Sequence, residues 1–247
     1  MINIFFNMQN MVLFLLIVFV AAFVQGVTGF GFGIILMCFA PNLLGYQMSV
    51  GISALLSLVL SLGIIVGLKG KLNMKKIFIT TIFFIIFQVV GTNLLFSFND
   101  DTLKTSLGIT LIFFAILFIV TEYGKYKVKS NRVNDAIIGG ISGIAGGMLG
   151  IGGPPVVFYY QSVFEDKNDY NVNMQATFTI VNIILLMLHI HRGNITTITL
   201  EYSIAALFTL FISMWIGLKI FKKISKKLLV KIIIVFFMVA GIIKLVL

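Results

Sequence analysis

The sequence is poor in charge and in residues that carry covalent or metal chemistry. Of its 247 residues only 11% are charged, 8 are Asp or Glu, 2 are His and 1 is Cys. The single cysteine, Cys38, excludes an intrachain disulfide and a cysteine-cluster metal site. His189 and His191 have no further ligands near them in sequence and do not make a metal site. With no set of nucleophile, base and metal ligand in an apolar segment, we expect neither an enzyme nor a resident cofactor.

The composition instead indicates an integral membrane protein. The chain is 60% hydrophobic and its mean hydropathy is +1.11, so too little polar surface remains to cover a soluble domain. The net charge of +10 comes from short Lys and Arg clusters between apolar runs. Such clusters are typical of the aqueous faces of a membrane and not of nucleic-acid binding. No Lys or Arg precedes Met11 and no cleavage site follows the first apolar run, so we expect no removable signal peptide.

Eight apolar segments follow one another along the chain. Six have roughly the 17 to 25 residues of a spanning helix, while the first and fifth run to about thirty and are interrupted by glycine. We place the segments at residues 11–40, 43–68, 75–97, 103–121, 134–164, 171–190, 198–220 and 228–246.

The stretch at residues 139–161 predicts a broken helix. It carries eight glycines followed by Pro154 and Pro155. Each glycine inside a helix costs roughly 1 kcal/mol and each proline about 3, so we predict a helix, an unwound turn and a second helix. Pro154 suits the first turn of that second half-helix.

The same glycine pattern occurs twice. Residues 26–31 read G-V-T-G-F-G and residues 147–152 read G-M-L-G-I-G, at an offset of 121 residues that also aligns the following three segments. The match predicts an internal duplication, with a first repeat at 1–124 and a second at 125–247. The alternative is that the glycines only allow close helix packing, which is common in membranes. Because unpaired backbone survives in a bilayer only around a cavity or inside protein, both breaks point to an interior site.

Charge bias predicts how the two repeats are oriented. If segments 11–40 and 134–164 enter and return on one side, fifteen of the Lys and Arg residues share one face and three lie opposite. If all eight segments cross once, the split is ten to eight. The positive-inside rule favours re-entrant hairpins over broken single crossings. Each half is then a hairpin plus three transmembrane helices, the repeats are inverted, and both termini are extracytoplasmic.

Two hairpin tips that meet inside the membrane predict an anion site. Each leads into a half-helix whose first N–H groups are unsatisfied and carry the positive end of the helix dipole. No Lys or Arg lies deep in a segment, so neutral side chains must complete the site. Each candidate has helix-to-helix hydrogen bonding as its alternative role. The candidates are Gln25, Thr28, Ser53, Ser57, Ser142, Asn173, Gln175, Thr177, Thr179 and Asn182.

Ionisable residues near the outer ends of two segments are candidates for proton coupling. His189 and His191 end the sixth segment and Glu201 begins the seventh. Of these, His189 and Glu201 are our candidates to pass protons, or to serve coupling to another ion, with interfacial polar residues as the alternative interpretation. Asp135 is interpreted as a helix N-terminal charge. Gln88, in the third segment, has no assigned role.

The glycine-rich stretches resemble a known family. The stretch GVTGFGFG at 26–33, GGMLGIGGPPVVFYY at 146–160, the length and the eight-segment duplication resemble the sulfite exporter TauE/SafE family of membrane permeases. The resemblance implies transport of sulfite, organosulfonates or related small anions across the cytoplasmic membrane, here of a bacterium. It also implies a substrate site between the glycine motifs, at Gly26, Gly29, Gly31, Gly33, Gly147, Gly150, Gly152, Gly153 and Pro154.

The sequence therefore predicts a secondary transporter that works by alternating access between two inverted repeats. Its expected partners are a small anion, the lipid bilayer and possible coupling ions, with no nucleic acid. An anion channel would use the same tips but needs a continuous wet path. A membrane assembly protein would use the glycines for packing alone.

Overall fold

The computed structural model describes residues 8–124 and 128–223, together with 228, 231, 235, 238, 239, 241 and 242. Every regular element in this part of the chain is an α-helix, as predicted. The helices are α1 (Met8–Thr28), α2 (Phe32–Phe39), α3 (Pro41–Leu44), α4 (Tyr46–Gly67), α5 (Met74–Ser97), α6 (Asp100–Gly124), α7 (Arg132–Leu149), α8 (Gly153–Val163), α9 (Lys167–His191) and α10 (Thr197–Phe221).

The first seven predicted segments correspond to these helices. The first is divided into α1 and α2, the fifth into α7 and α8, and the other five are single helices. The short helix α3 lies at the junction of the first and second segments. The predicted eighth segment, 228–246, lies largely outside the described residues. The largest shift is in α9, which begins at Lys167 instead of residue 171, because Asp166 caps it by accepting from the N–H groups of Asn168 and Asp169.

The outer surface is apolar, as a bilayer requires. Five described helices, α1, α4, α5, α9 and α10, are long and apolar enough to cross a membrane. Their outward side chains include Val66 and Phe208, which are 88% and 76% exposed. An apolar surface of this extent is unfavourable in water and favourable against lipid. The chain is a multi-pass membrane protein.

The most extensive contacts among the described helices join the first half of the chain to the second. They pair α5 with α7, α1 with α10, and α4 with α9. In the α5–α7 contact, three glycines of α7 spaced four residues apart each meet a backbone carbonyl of α5. The pairs are Gly139 with Thr80, Gly143 with Phe84, and Gly147 with Gln88. Gly26 and Gly217 make the equivalent backbone contact between α1 and α10. Small-residue packing is therefore real at these positions.

Both glycine breaks interrupt the helices where the sequence predicts. Gly31, with a φ of 106°, precedes α2, and Gly150, with a φ of 72°, ends α7. A left-handed residue of this kind stops a helix at little cost only when it is glycine. After Gly150 the chain turns back, since Gly152 packs against Ser142 and Gly146 of α7. The following helix, α8, carries Pro154 in its first turn, as expected.

Candidate functional site

The two glycine breaks, called the first tip at Gly31 and the second tip at Gly150, touch each other in the interior of the protein. A Cβ atom on Gly33 would collide with the carbonyl oxygen of Gly150, so the backbone of the first tip lies directly against the second. Beside this contact, a Cβ on Gly153 would lie 3.9 Å from the Phe30 ring. Residues more than a hundred positions apart thus form one local structure.

A small cavity lies between the tips. Its volume is about 60 Å³, enough for a few water molecules or one ion of about five heavy atoms. None of its lining residues carries a charge. Its polar side chains are Gln25, Ser53, Ser57, Gln88 and Asn182; its glycines are Gly31, Gly33, Gly146, Gly150, Gly152 and Gly153; and its apolar walls are Phe30, Ile34, Phe84, Ile151, Phe178, Val181 and Leu185.

Backbone donors are available at both tips. The first-turn N–H groups of a helix have no acceptor inside the helix, and neither α2 nor α8 has a side-chain cap. In α2 the Phe32 N–H donates to Gln25 Oε1 at 3.2 Å, so the N–H groups of Gly33 and Ile34 remain as donors for a ligand. In α8, Pro154 and Pro155 have no N–H, so the N–H group of Gly153 remains as a donor for a ligand. Gly33, Ile34 and Gly153 all line the cavity.

The first tip is fixed by side-chain amides. Gln25 Nε2 donates to Gln175 Oε1 at 3.2 Å. Gln175 Nε2 in turn donates to the Gly29 carbonyl and, at 2.8 Å, to Asn171 Oδ1. The hydroxyl of Thr28 donates to the Phe30 carbonyl within the same turn. The amides of α1 and α9 thereby hold the loop that places Gly31 and Gly33.

The second tip is fixed by close backbone packing. Tyr46 on α4 donates its hydroxyl to the Leu149 carbonyl at 3.1 Å. A Cβ on Gly152 would lie 2.7 Å from the Ser142 carbonyl oxygen and would also collide with the Phe84 ring. Gly152 therefore has no room for a side chain, whereas Gly153 has no neighbour closer than 3.5 Å to the position of an added Cβ.

Gln88 is the lining residue to which sequence reasoning assigned no role. It is 1% exposed, and its Oε1 is buried with no hydrogen-bond partner. A buried amide without a partner is costly, so its oxygen is available to accept a hydrogen bond from a molecule in the cavity. The signal in the sequence is a lone glutamine in the middle of the apolar segment 75–97.

Most of the predicted site residues fall into three groups. The cavity is lined by Gln25, Gly31, Gly33, Gly150, Gly152 and Gly153, together with the further candidates Ser53, Ser57 and Asn182. Thr28, Gly29 and Gln175 hold the first tip from behind. Gly26 and Gly147 lie in helix contacts, and Pro154 is buried in the first turn of α8.

Asn173 and Thr177 on α9 lie in other polar contacts. Asn173 accepts from the Asn73 N–H at 2.7 Å and donates to the Lys71 carbonyl at 2.8 Å, which ties α9 to the loop before α5. Thr177 is 3.0 Å from the Tyr160 hydroxyl. Neither residue lines the cavity.

The ionisable residues considered for coupling lie in different environments. His189 is fully buried, and its Nδ1 is 2.7 Å from Asn194 Nδ2. Glu201 is exposed and lies near the start of α10, after its first turn. Asp135 lies near the start of α7, as expected for a helix N-terminal charge, and accepts from Tyr159 at 2.7 Å and Thr80 at 3.3 Å. Within the described residues no three His, Cys, Asp or Glu side chains gather as metal ligands.

One known protein family matches nearly the whole chain. The model of the sulfite exporter TauE/SafE family matches residues 14–245, which include both tips, all the cavity-lining residues and every helix described above except the first six residues of α1. The chain belongs to the sulfite exporter TauE/SafE family. Membership implies a membrane transporter of sulfur-containing anions and is consistent with a protein that is not an enzyme. No curated protein and no solved structure matches the TauE/SafE chain.

Proposed function

We propose that this TauE/SafE protein is a secondary transporter whose substrate site is the cavity between the two glycine tips. Its substrates are sulfite, small organosulfonates or related sulfur oxyanions. It works by alternating access, in the bacterial cytoplasmic membrane, with both termini extracytoplasmic. The observation that carries the proposal is the contact between Gly33 and Gly150 beside a neutral polar cavity.

The donors around the cavity support an anionic substrate. Backbone N–H groups of Gly33, Ile34 and Gly153 and the positive ends of α2 and α8 border one space. The hydroxyls of Ser53 and Ser57 add further donors. An oxyanion accepts hydrogen bonds on every oxygen, so such a shell of donors suits it better than a cation.

The pairing of the helices supports an inverted repeat, on which the proposed alternating access depends. The first arm of each predicted hairpin, α1 or α7, packs on a helix of the opposite half, α10 or α5. The same exchange in both halves is the arrangement expected of an inverted repeat. A relative movement of the halves would open the cavity, since residues of both halves line it.

The walls of the cavity favour a transporter over an open channel. Phe30, Phe84 and Phe178 border it, and the two tips are in direct contact. A channel needs a continuous wet path past this point. Aromatic walls and touching tips narrow this passage, which suits a substrate compartment in alternating access better than an open pore.

The proposal is tested by ligand-induced thermal stabilisation of the protein in detergent. Sulfite, methanesulfonate, sulfoacetate, acetate and phosphate are compared, since a ligand that binds only the folded state stabilises it by about 2.7 kcal/mol at a hundredfold excess over Kd. The site variant is Gly153→Ala, whose methyl group enters the cavity without a clash. We expect it to weaken binding about tenfold or more, because overpacking a filled site costs about 1–3 kcal/mol.

The control variant is Gly140→Ala, at a buried position of α7 beside Phe87. Its added Cβ would lie 3.4 Å from the Phe87 ring, an ordinary contact, and Gly140 does not line the cavity. Gly140→Ala should keep the wild-type response. A folded Gly153→Ala protein that binds sulfur oxyanions as tightly as Gly140→Ala would contradict the proposed site. Substitution of Gly152 is unsuitable, because it would disturb the packing against Ser142.

A further inference from the structure

The cavity offers polar donors but no positive charge. Its described lining consists of neutral amides, hydroxyls, glycines and apolar side chains. Titratable groups on the surrounding helices all lie off the lining. They are Cys38 on α2, Tyr46 on α4, Lys75 and Lys76 on α5, Arg132 and Asp135 on α7, Tyr159 and Tyr160 on α8, and Lys167, Asp169, Tyr170, His189 and His191 on α9.

The nearby buried groups do not supply the missing cation. Asp135 is the one buried carboxyl group within the described residues and would add negative charge on α7. Tyr46 donates its hydroxyl to Leu149, and the tyrosines of α8 donate or lie close to Asp135 and Thr177. A ligand in the cavity must therefore be held by dipoles and hydrogen bonds alone.

The charge of the ligand then decides whether it enters. The cost of moving an ion out of water grows with the square of its charge, so a dianion loses about four times the hydration free energy of a monoanion of equal size. Neutral donors return roughly similar hydrogen bonds to both ions. Without a counter-ion, the second charge has no compensation inside the protein.

We infer that the cavity selects monoanions, so that hydrogensulfite and not the sulfite dianion is the form of sulfite that binds. This inference rests on the proposed function. Gln88 suits the protonated ion in particular, because an amide has both donor hydrogens and an acceptor oxygen and its Oε1 lacks a partner. The S–OH or H–S group of hydrogensulfite is matched by that acceptor, while its remaining oxygens accept from Gly33, Gly153 and the serines.

The test uses three probes on the purified wild-type protein by calorimetric titration. Methanesulfonate is a monoanion and sulfate a dianion throughout the pH range used, and the two are similar tetrahedral ions. Sulfite changes from one to the other near neutral pH. We expect methanesulfonate to bind with a Kd that does not change with pH. Sulfate should bind at least tenfold more weakly, and the apparent Kd of total sulfite should rise about tenfold per pH unit above the hydrogensulfite pKa.

Methanesulfonate, whose charge does not change with pH, shows how much of the pH dependence of binding comes from the protein's own groups. A change in the charge of the protein would change methanesulfonate and sulfite binding together, whereas a change in the charge of the ligand changes sulfite binding alone. Sulfate binding equal to that of methanesulfonate, or sulfite binding that does not weaken with rising pH, would overturn the inference and leave the proposed function standing. If no sulfur oxyanion binds, or if binding persists in Gly153→Ala, the proposed function fails with it.

Discussion

The two glycine breaks have the same sequence pattern but are held in place by different interactions. At the first, Gln25 and Gln175 hold the turn through side-chain hydrogen bonds. At the second, Gly147 and Gly152 hold it by packing without side chains against neighbouring backbone. Hydrogen-bonded amides allow small adjustments in geometry, whereas glycine-to-backbone contacts tolerate almost none. We therefore expect the first tip to adapt during transport and the second to act as a fixed support.

The two tips also differ in what they offer a ligand. The first turn of α2 keeps the N–H groups of Gly33 and Ile34, while Pro154 and Pro155 remove two donors from α8. The first tip and Gln88 should thus supply most of the hydrogen bonds to an anion. A matched pair of motifs in the sequence does not imply matched roles in the site.

The largest effect should come from adding a side chain where α7, which leads into the second tip, packs against the backbone of α5. In Gly147→Ala the new Cβ would collide with the Gln88 carbonyl and lie 2.7 Å from the Thr92 nitrogen. We expect a loss of about 3 kcal/mol in the free energy of unfolding, measured by thermal or denaturant unfolding in detergent. Gly140→Ala on the same helix is the control and should stay close to wild type. Equal stability of the two variants would show that the α5–α7 contact is looser than described.

A smaller loss should follow from removing the amide that holds the first tip. Gln175→Leu leaves the Gly29 carbonyl, Asn171 Oδ1 and Gln25 Nε2 without this partner. The expected cost in unfolding free energy is about 1–3 kcal/mol, because buried polar groups lose their hydrogen bonds. Anion binding, measured by calorimetry, should also weaken, since Gln25 and the turn are no longer fixed. A Gln175→Leu protein with unchanged stability and binding would contradict the positioning role of Gln175.

Gln88 and Gln25 should respond in opposite directions to the same substitution. Gln88→Met removes a buried amide whose oxygen has no partner, so we expect unchanged stability or a gain of about 1 kcal/mol. Gln25→Met removes bonds to Phe32 and Gln175 and should destabilise the protein. Thermal unfolding measures both, and sulfite titration at a pH where hydrogensulfite predominates should show about tenfold weaker binding in Gln88→Met. Destabilisation by Gln88→Met with normal binding would assign Gln88 to the fold alone.

The smallest effect is expected at the hydroxyl that contacts the second tip. Tyr46→Phe removes a single hydrogen bond, to the Leu149 carbonyl, and keeps the ring in place. The free energy of unfolding should fall by about 1 kcal/mol, with little change in anion affinity. A large loss of binding in Tyr46→Phe would mean that the second tip depends on this bond and not on glycine packing.

The positions of the helix breaks were predictable because they depend on local chemistry. Gly150 and Pro154 act through the backbone conformations that each residue allows, whatever surrounds them. The all-helical membrane fold follows in the same way from the length and hydropathy of the segments. The capped start of α9 at Lys167 lay beyond the apolar run, because Asp166 extends the helix into a polar sequence.

The lining of the cavity was predictable only in part. Gly33 and Gly153 lie at the tips and line the cavity, whereas Gly147 and Gly26 belong to the same motifs and lie in helix contacts. Which face of a glycine-rich helix meets a neighbour depends on tertiary packing that one sequence does not reveal. Gln88 has no motif around it, and its place beside the cavity follows from the pairing of α5 with α7. The inverted orientation of the two repeats stays a prediction.

The central claim is that a small anion binds between the two tips. The most direct test is a structure of the protein with bound selenite, the heavier analogue of sulfite, located by the anomalous scattering of selenium. The account predicts one site bordered by Gly33, Gly153 and Gln88. An ion found elsewhere in the protein, under conditions where calorimetry shows the selenite site to be saturated, would contradict it.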